Sequence, residues 1–296
     1  MKTLSKNLRG TGVAIVTPFK KDFSIDYISI KKLVDYVIDG GVNYIVVQGT
    51  TGESSTLTEK EKIDSRKAFI NANNQRVPLL IGIGSNYTQS LVNYIKASDL
   101  NGFSAILSVS PYYNKPSQEG LYQHYAAIAK ISKMPIILYN VPGRTSSNVN
   151  PKTVFRLASD FKNIIGIKEA KGDMLQMKTL IKNRVKDFLI ISGDDQTAPI
   201  SILNGADGVI SVAAGCIPTL FSSIINDAIC GKASATKISL NNIKPFIKLL
   251  FDQGNPSGVK AALSSLNLCE NKLRLPLTPV SNELYLEIEK FVSKKN

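Results

Sequence analysis

The chain has 296 residues, 43% hydrophobic and 20% charged, a globular mix with enough apolar material for a large core. No apolar run approaches the ~20 residues of a membrane span, and the N-terminus MKTLSKNLRGTGVAIVTPF lacks a signal peptide's apolar core and cleavage site, so a cytoplasmic protein without a membrane partner is expected. The net charge of +13 comes from scattered lysines, Lys31, Lys32, Lys60, Lys62, Lys182 and Lys186 among them, without the basic tract or motif of a nucleic-acid binder. Cys216, Cys230 and Cys269 are odd in number and widely spaced, which argues against a disulfide scaffold or a thiolate zinc site. With His124 as the single histidine, a two-histidine metal site is excluded, and its segment LYQHYAAIAK reads as an ordinary helix.

In chain order, short β-branched runs read as strands: GVAIV at 12–16, YIVVQ at 44–48, VPLLIGI at 77–83, FSAILSV at 103–109, PIILYN at 135–140, IIGIK at 164–168, FLIISG at 188–193 and DGVISV at 207–212. They are nearly continuous instead of alternating, as parallel strands buried on both faces should be. Helical segments lie between them. Thr58 followed by Glu61 has the form of a capping box before IDSRKAFINAN, SLVNYIKASDL follows Asn86, and Pro151 stands where a first helical turn would begin. The alternation predicts an α/β fold, a (β/α)8 TIM barrel over residues 1–230 with a C-terminal helical region over 231–296. A doubly wound open sheet is the structural rival, but no GxGxxG fingerprint follows the first strand and no Walker A motif is present.

Active sites of such barrels gather at the C-terminal ends of the strands. Those positions here hold Thr17, the loop GTTGES with Thr50, Thr51 and Ser54, then Tyr112, Tyr113, Tyr139, Arg144, Lys168, Gly193 and Ile210. An amine at the mouth of an apolar barrel is desolvated, which disfavours the ammonium and leaves a nucleophile for ketones. A phenol such as Tyr139 can shuttle the protons of imine formation. The hydroxyls and backbone amides of GTTGES can hold a carboxylate, and Arg144 can hold a second one bidentately. Each residue also has a plain alternative: Lys168 pointing into water, Tyr139 as a core phenol, GTTGES as a tight loop, Arg144 as a solvated side chain. Asp194 and Asp195 read as caps of the following helix.

The stretches AIVTPF, GTTGES, PYYNKPSQEGLYQHY, ILYNVPGRT, NIIGIKEAKGD, SGDDQ, GVISVAA and LRLPLTP, in this order over residues 12–279, resemble the dihydrodipicolinate synthase family of class I pyruvate-dependent aldolases and lyases. The resemblance implies that Lys168 forms a Schiff base with pyruvate, and that Tyr139 is the general acid/base, relaying protons with Thr50 and with Tyr113 from a neighbouring subunit. Thr51 would bind the pyruvate carboxylate and Arg144 that of L-aspartate 4-semialdehyde, with Gly193 and Ile210 contributing carbonyls. It implies no metal and no organic cofactor, and a homo-oligomer built as a dimer of dimers. N-acetylneuraminate lyase or another pyruvate aldolase shares the scaffold and is the alternative. Ser54, Asn86 and Tyr112 match an effector site for lysine, but Glu59, Lys62 and Ser90 depart from lysine-inhibited relatives, so weak or absent inhibition is expected. The Asn255-Pro-Ser-Gly258 stretch replaces a stiffer pair and suggests altered local packing. Lys171 acquires no role.

Overall fold

A computed structural model describes residues 2–293. Eight parallel strands close in sequence order into a barrel. They are β1 (Gly10–Ala14), β2 (Tyr44–Val47), β3 (Leu79–Gly82), β4 (Ala105–Val109), β5 (Ile136–Asn140), β6 (Ile164–Glu169), β7 (Leu189–Ser192) and β8 (Gly208–Ser211). The helices are α1 (Lys2–Asn7), α2 (Tyr27–Asp39), α3 (Glu59–Asn73), α4 (Thr88–Ala97), α5 (Gln118–Ile131), α6 (Pro142–Thr145), α7 (Pro151–Asp160), α8 (Met174–Asn183), α9 (Ala198–Leu203), α10 (Pro218–Ile229), α11 (Ala233–Asp252), α12 (Ser257–Ser265) and α13 (Asn282–Ser293). Among the described residues no helix is long and apolar enough to cross a membrane.

Because β-strand side chains alternate between faces, each strand feeds two apolar layers. Ala14, Val46, Leu80, Leu107, Ile137, Ile165, Ile191 and Ile210 fill the barrel interior, while Val13, Ile45, Ile81, Ile106, Leu138, Ile167, Ile190 and Val209 face the helices. That double burial produces the continuous apolar runs of the sequence. The first strand begins two residues before the run that announced it, at Gly10-Thr11-Gly12. Gly12 is there because the Tyr44 ring occupies the space a Cβ would need, 2.2 Å from the Tyr44 Cε2 atom. Leu8 and Leu4, from α1 and the turn after it, pack onto the inner cluster and close the end of the barrel where the strands begin.

The helix starts follow their local chemistry. Thr58 and Glu61 form the reciprocal capping box on α3, and Pro151 opens α7 at the first turn. His124 is buried in α5 with its Nδ1 atom 2.8 Å from Thr88 Oγ1, and burial pushes its pKa down to about 4. Cys216 and Cys269 are buried and Cys230 is exposed, all three as free thiols. Burial raises the Cys269 thiol to about 12, which makes it inert at neutral pH.

After the eighth unit, α11 packs on α10 and α9, α12 on α11, and α13 on both α11 and α12. Stacking of Phe246 on Phe291, with ring centres 4.3 Å apart, joins α11 to α13. The stretch 255–258 differs from its sequence reading. It is buried throughout, and a Cβ on Gly258 would lie 2.3 Å from the Leu250 carbonyl oxygen. The glycine therefore permits a close backbone approach between α12 and the end of α11; it does not loosen the turn. Ser257 Oγ adds a 2.8 Å hydrogen bond to the Thr278 carbonyl.

Candidate active site

A cavity of about 390 Å³ opens at the C-terminal ends of the strands, lined by residues that include Thr50, Thr51, Tyr139, Arg144, Lys168 and Gly193. Strand register explains the central pair. Tyr139 on β5 is the direct partner of Lys168 on β6, so both side chains leave the ladder on the same, inner face. Lys168 is 5% exposed and its Nζ lies 4.3 Å from the centre of the Tyr139 ring. Among the described residues that amine has no carboxylate or hydrogen-bond partner, an arrangement that suits a nucleophile.

The next pair in the ladder, Asn140 and Glu169, points the other way, among the helices. Asn140 Nδ2 donates to both Glu169 oxygens (3.1 and 2.9 Å), Gln176 Nε2 donates to Glu169 Oε2 (2.8 Å), and the Lys171 amide donates to Oε1 (2.9 Å). Burial raises the pKa of Glu169, against the pull of these donors. The network fixes the ends of β5 and β6 from behind, and with them Tyr139 and Lys168. Lys171, in contrast, turns its ammonium to Asp173, 2.8 Å away at the start of α8, which accounts for the second lysine of KEAK as a surface ion pair.

Gly193 is glycine for a local reason. A Cβ there would sit 2.7 Å from Lys168 Cε and 2.6 Å from Ala170 Cβ. Under the Schiff-base role that the resemblance implies for Lys168, Gly193→Ala is expected to leave the barrel folded but displace the lysine tail, slowing imine formation by about 10- to 100-fold. The rate of borohydride-trapped pyruvate adduct reads this directly, and an unchanged rate would show that the tail adapts.

The GTTGES loop follows β2. Its Gly52 and Glu53 amides close turns onto the Gly49 and Thr50 carbonyls, and Thr17 Oγ1 holds the Gly52 carbonyl at 2.7 Å. Among the described residues the Thr50 and Thr51 amides have no protein partner, so the loop offers donors beside the threonine hydroxyls. Thr51 is 2% exposed, and its Oγ1 accepts from Asn255 Nδ2. Arg144, from the short α6, lines the same cavity and donates to the Asn255 backbone carbonyl.

Not every expected residue meets there. Ile210 sits in the inner apolar layer on β8, 1% exposed, and Tyr113 lies on the surface between β4 and α5, 86% exposed with φ of +73°. Ser54 and Tyr112 line an adjoining cavity of about 650 Å³ with Glu59, Lys62 and Ser90, and it shares Thr50, Tyr139 and Arg144 with the first; Asn86 accepts a hydrogen bond from Asn114 through its backbone carbonyl. Asp194 accepts from the Thr197 amide and hydroxyl in the turn before α9, whose N-cap position is Thr197 itself. Asp195 does not. Its carboxylate instead receives the Val212 and Ala213 amides after β8, and burial raises its pKa to about 6 against the Ser211 hydroxyl and those amides. Neither aspartate is therefore the N-cap of α9: Asp194 braces the turn that leads into it, and Asp195 ties that turn to the residues after β8.

Three buried polar residues at this end escaped the sequence reading: Glu53, Asn255 and Lys260. Glu53 and Lys260 form an ion pair with both side chains fully buried, and Lys260 also donates to the Lys272 carbonyl. The run Val259-Lys-Ala-Ala-Leu263 carried a signal, since one charge interrupting an otherwise apolar stretch needs a buried partner. Among the described residues no cluster of histidine, cysteine and carboxylate groups could hold a metal.

The sequence model of the dihydrodipicolinate synthetase family matches residues 7–295. The chain is 52% identical over 285 residues to the 4-hydroxy-tetrahydrodipicolinate synthase of Flavobacterium psychrophilum, covering 96% of this chain and 97% of that one. Among solved structures, a monomeric dihydrodipicolinate synthase variant superposes with a TM-score of 0.93 at 39% identity, covering 98% of this chain and 97% of that one. The chloride-inhibited dihydrodipicolinate synthase of Acinetobacter baumannii, complexed with pyruvate, gives 0.92 at 44% identity, covering 97% and 98%.

Proposed function

This chain belongs to the dihydrodipicolinate synthetase family, and we infer that its cavity condenses pyruvate with L-aspartate 4-semialdehyde to give 4-hydroxy-tetrahydrodipicolinate. It is a Schiff-base-forming lyase of lysine biosynthesis. The observation that carries the residue assignment is the unpartnered amine of Lys168, buried against the Tyr139 ring. Lys168 Nζ attacks the pyruvate ketone, and water leaves as the imine forms. Loss of a methyl proton gives the enamine, whose carbon adds to the semialdehyde's aldehyde carbon. The amine of the bound semialdehyde then attacks the imine carbon, closes the ring and frees Lys168. Tyr139 carries protons to and from oxygen, with Thr50 beside it in the cavity. Thr51 and Arg144 take the two carboxylates, and Gly193 forms part of the wall beside the lysine. Lys168 is itself the electron sink, so the chemistry calls for no organic cofactor.

Tyr113 has its place in this reading at the cavity of a second copy. Its exposed ring and left-handed backbone, which costs a non-glycine residue on the order of 1 kcal/mol, suit a residue that functions outside its own subunit. The assembly proposed is a dimer of dimers in the cytoplasm. Borohydride reduction in the presence of pyruvate followed by peptide mass spectrometry is the test: the adduct is expected on Lys168, and its absence sinks the mechanism. Coupled turnover with aspartate semialdehyde, set against N-acetylneuraminate, separates the condensation from the lyase alternative.

The 650 Å³ cavity bears on regulation. Its wall carries the Lys62 ammonium, 2.7 Å from Glu59. A second ammonium entering here meets a like charge and a carboxylate already engaged. L-lysine is therefore expected to leave the initial rate unchanged at submillimolar concentration, and a submillimolar inhibition constant would overturn this.

A further inference from the structure

We propose that Asn255, in the turn between α11 and α12, is a positioning residue for both carboxylate-binding groups, a role that rests on the condensation inferred above. Its side-chain Nδ2 donates to Thr51 Oγ1 over 2.9 Å, and its backbone carbonyl accepts from Arg144 Nη2 over 3.2 Å. It is 7% exposed and lines the same cavity as Lys168 and Tyr139. Thr51 and Arg144 come from different barrel units, after β2 and after β5, and this one residue touches both.

The direction of the first bond sets what Thr51 can do. A hydroxyl has one proton and two acceptor lone pairs. The Asn255 amide fills an acceptor position, so the Thr51 proton stays unspent and is available to an anion. The Asn255 Oδ1 atom pays for this orientation: it is buried without a protein partner, a loss tolerated chiefly where function needs it. At the second bond, a peptide carbonyl takes one of the five guanidinium N–H groups of Arg144 and leaves the others for a carboxylate. The turn itself is rigidly seated by the Gly258 approach to Leu250 and the Ser257 bond to Thr278. The C-terminal helical region thus sets the spacing of the two anion-binding groups of the barrel.

The test compares Asn255→Asp with Asn255→Ala by steady-state kinetics in both substrates, with thermal melting to check folding. Aspartate keeps the shape but has only acceptors, so it takes the Thr51 proton and competes for Arg144. KM for pyruvate and for the semialdehyde is expected to rise at least about tenfold, with kcat changed less than about threefold. Alanine leaves the Thr51 proton and the backbone carbonyl in place, so pyruvate KM should rise only about threefold and semialdehyde KM stay near wild type. A purely structural role reverses this order, because the isosteric aspartate would then be the milder change. The proposal is overturned if aspartate is the milder variant, or if its KM values lie within about twofold of wild type. Should the aspartate variant not fold, alanine alone decides: a pyruvate-selective KM rise supports the role, and unchanged KM values refute it. Wild-type turnover reports on the condensation separately, so failure there is not confused with failure of the variants.

Discussion

Lys168→Ala is expected to lose the borohydride-trapped pyruvate adduct entirely and to lower kcat by at least about 10³-fold, as removal of a covalent nucleophile does in other enzymes. The protein should fold as well as the wild type, or better. The Lys168 side chain is buried, with its Nζ over the face of the Tyr139 ring and no ion-pair or hydrogen-bond partner among the described residues. Removing it takes away an unpartnered side chain at the cost of a small addition to an already open cavity, the usual exchange of activity for stability at a functional site. Pyruvate should raise the melting temperature of the wild type, because the adduct exists only in the folded protein, and leave the variant's unchanged. Trapped pyruvate persisting in Lys168→Ala would move the nucleophile to another amine. Loss of activity with a collapsed melting temperature would instead make Lys168 structural.

Much of the barrel was written locally. Parallel strands covered on both faces need apolar residues at nearly every position, so β2 to β8 stand out as β-branched runs, and the capping box of α3 marks its own start. Lys168 and Tyr139 stood out as candidates for the same reason: each lies next to the end of such a run, and strand ends in a barrel converge. What escaped was long-range. Gly10 and Thr11 lie outside the apolar run at 12–16 and join β1 by pairing with Gly208 and Val209 of β8, the last strand of the barrel. Asp195 reads as a cap until β8 brings the Val212 and Ala213 amides to its carboxylate. Asn255 lies 204 positions from Thr51, and Lys260 lies 207 from Glu53. No local period encodes such a meeting, and a lysine in a helix is ordinarily solvated.

That last pair supports the second large effect. Glu53 lies in the GTTGES loop two residues after Thr51, and its carboxylate receives Lys260 Nζ on one oxygen and the Arg274 amide, 3.1 Å away, on the other. Lys260 also lies 4.1 Å over the Phe19 ring, while Arg274 is 4.5 Å from the same ring and pairs with Glu61. Arg274 holds the Glu61 carboxyl down at about 2, so this second link persists at neutral pH. Burial lowers the pKa of Lys260 and Glu53 pulls it back up, which leaves the ammonium dependent on that carboxylate. Lys260→Met should therefore strand a buried carboxylate and cost about 3–5 kcal/mol, a fall in melting temperature of roughly 5–10 °C for a chain of this size. Glu53→Leu should do comparable damage by stranding the ammonium. The double variant should recover most of the loss, since an apolar pair of similar volume often equals a buried ion pair. Melting within about 1 °C of wild type for Lys260→Met would show the pair to be incidental. Additive losses in the double variant would show that each residue acts through its other contacts. If the pair couples as expected, the folded double variant should still bind pyruvate more weakly than the wild type. The GTTGES loop would have lost the charged tether that holds Thr51 two residues away.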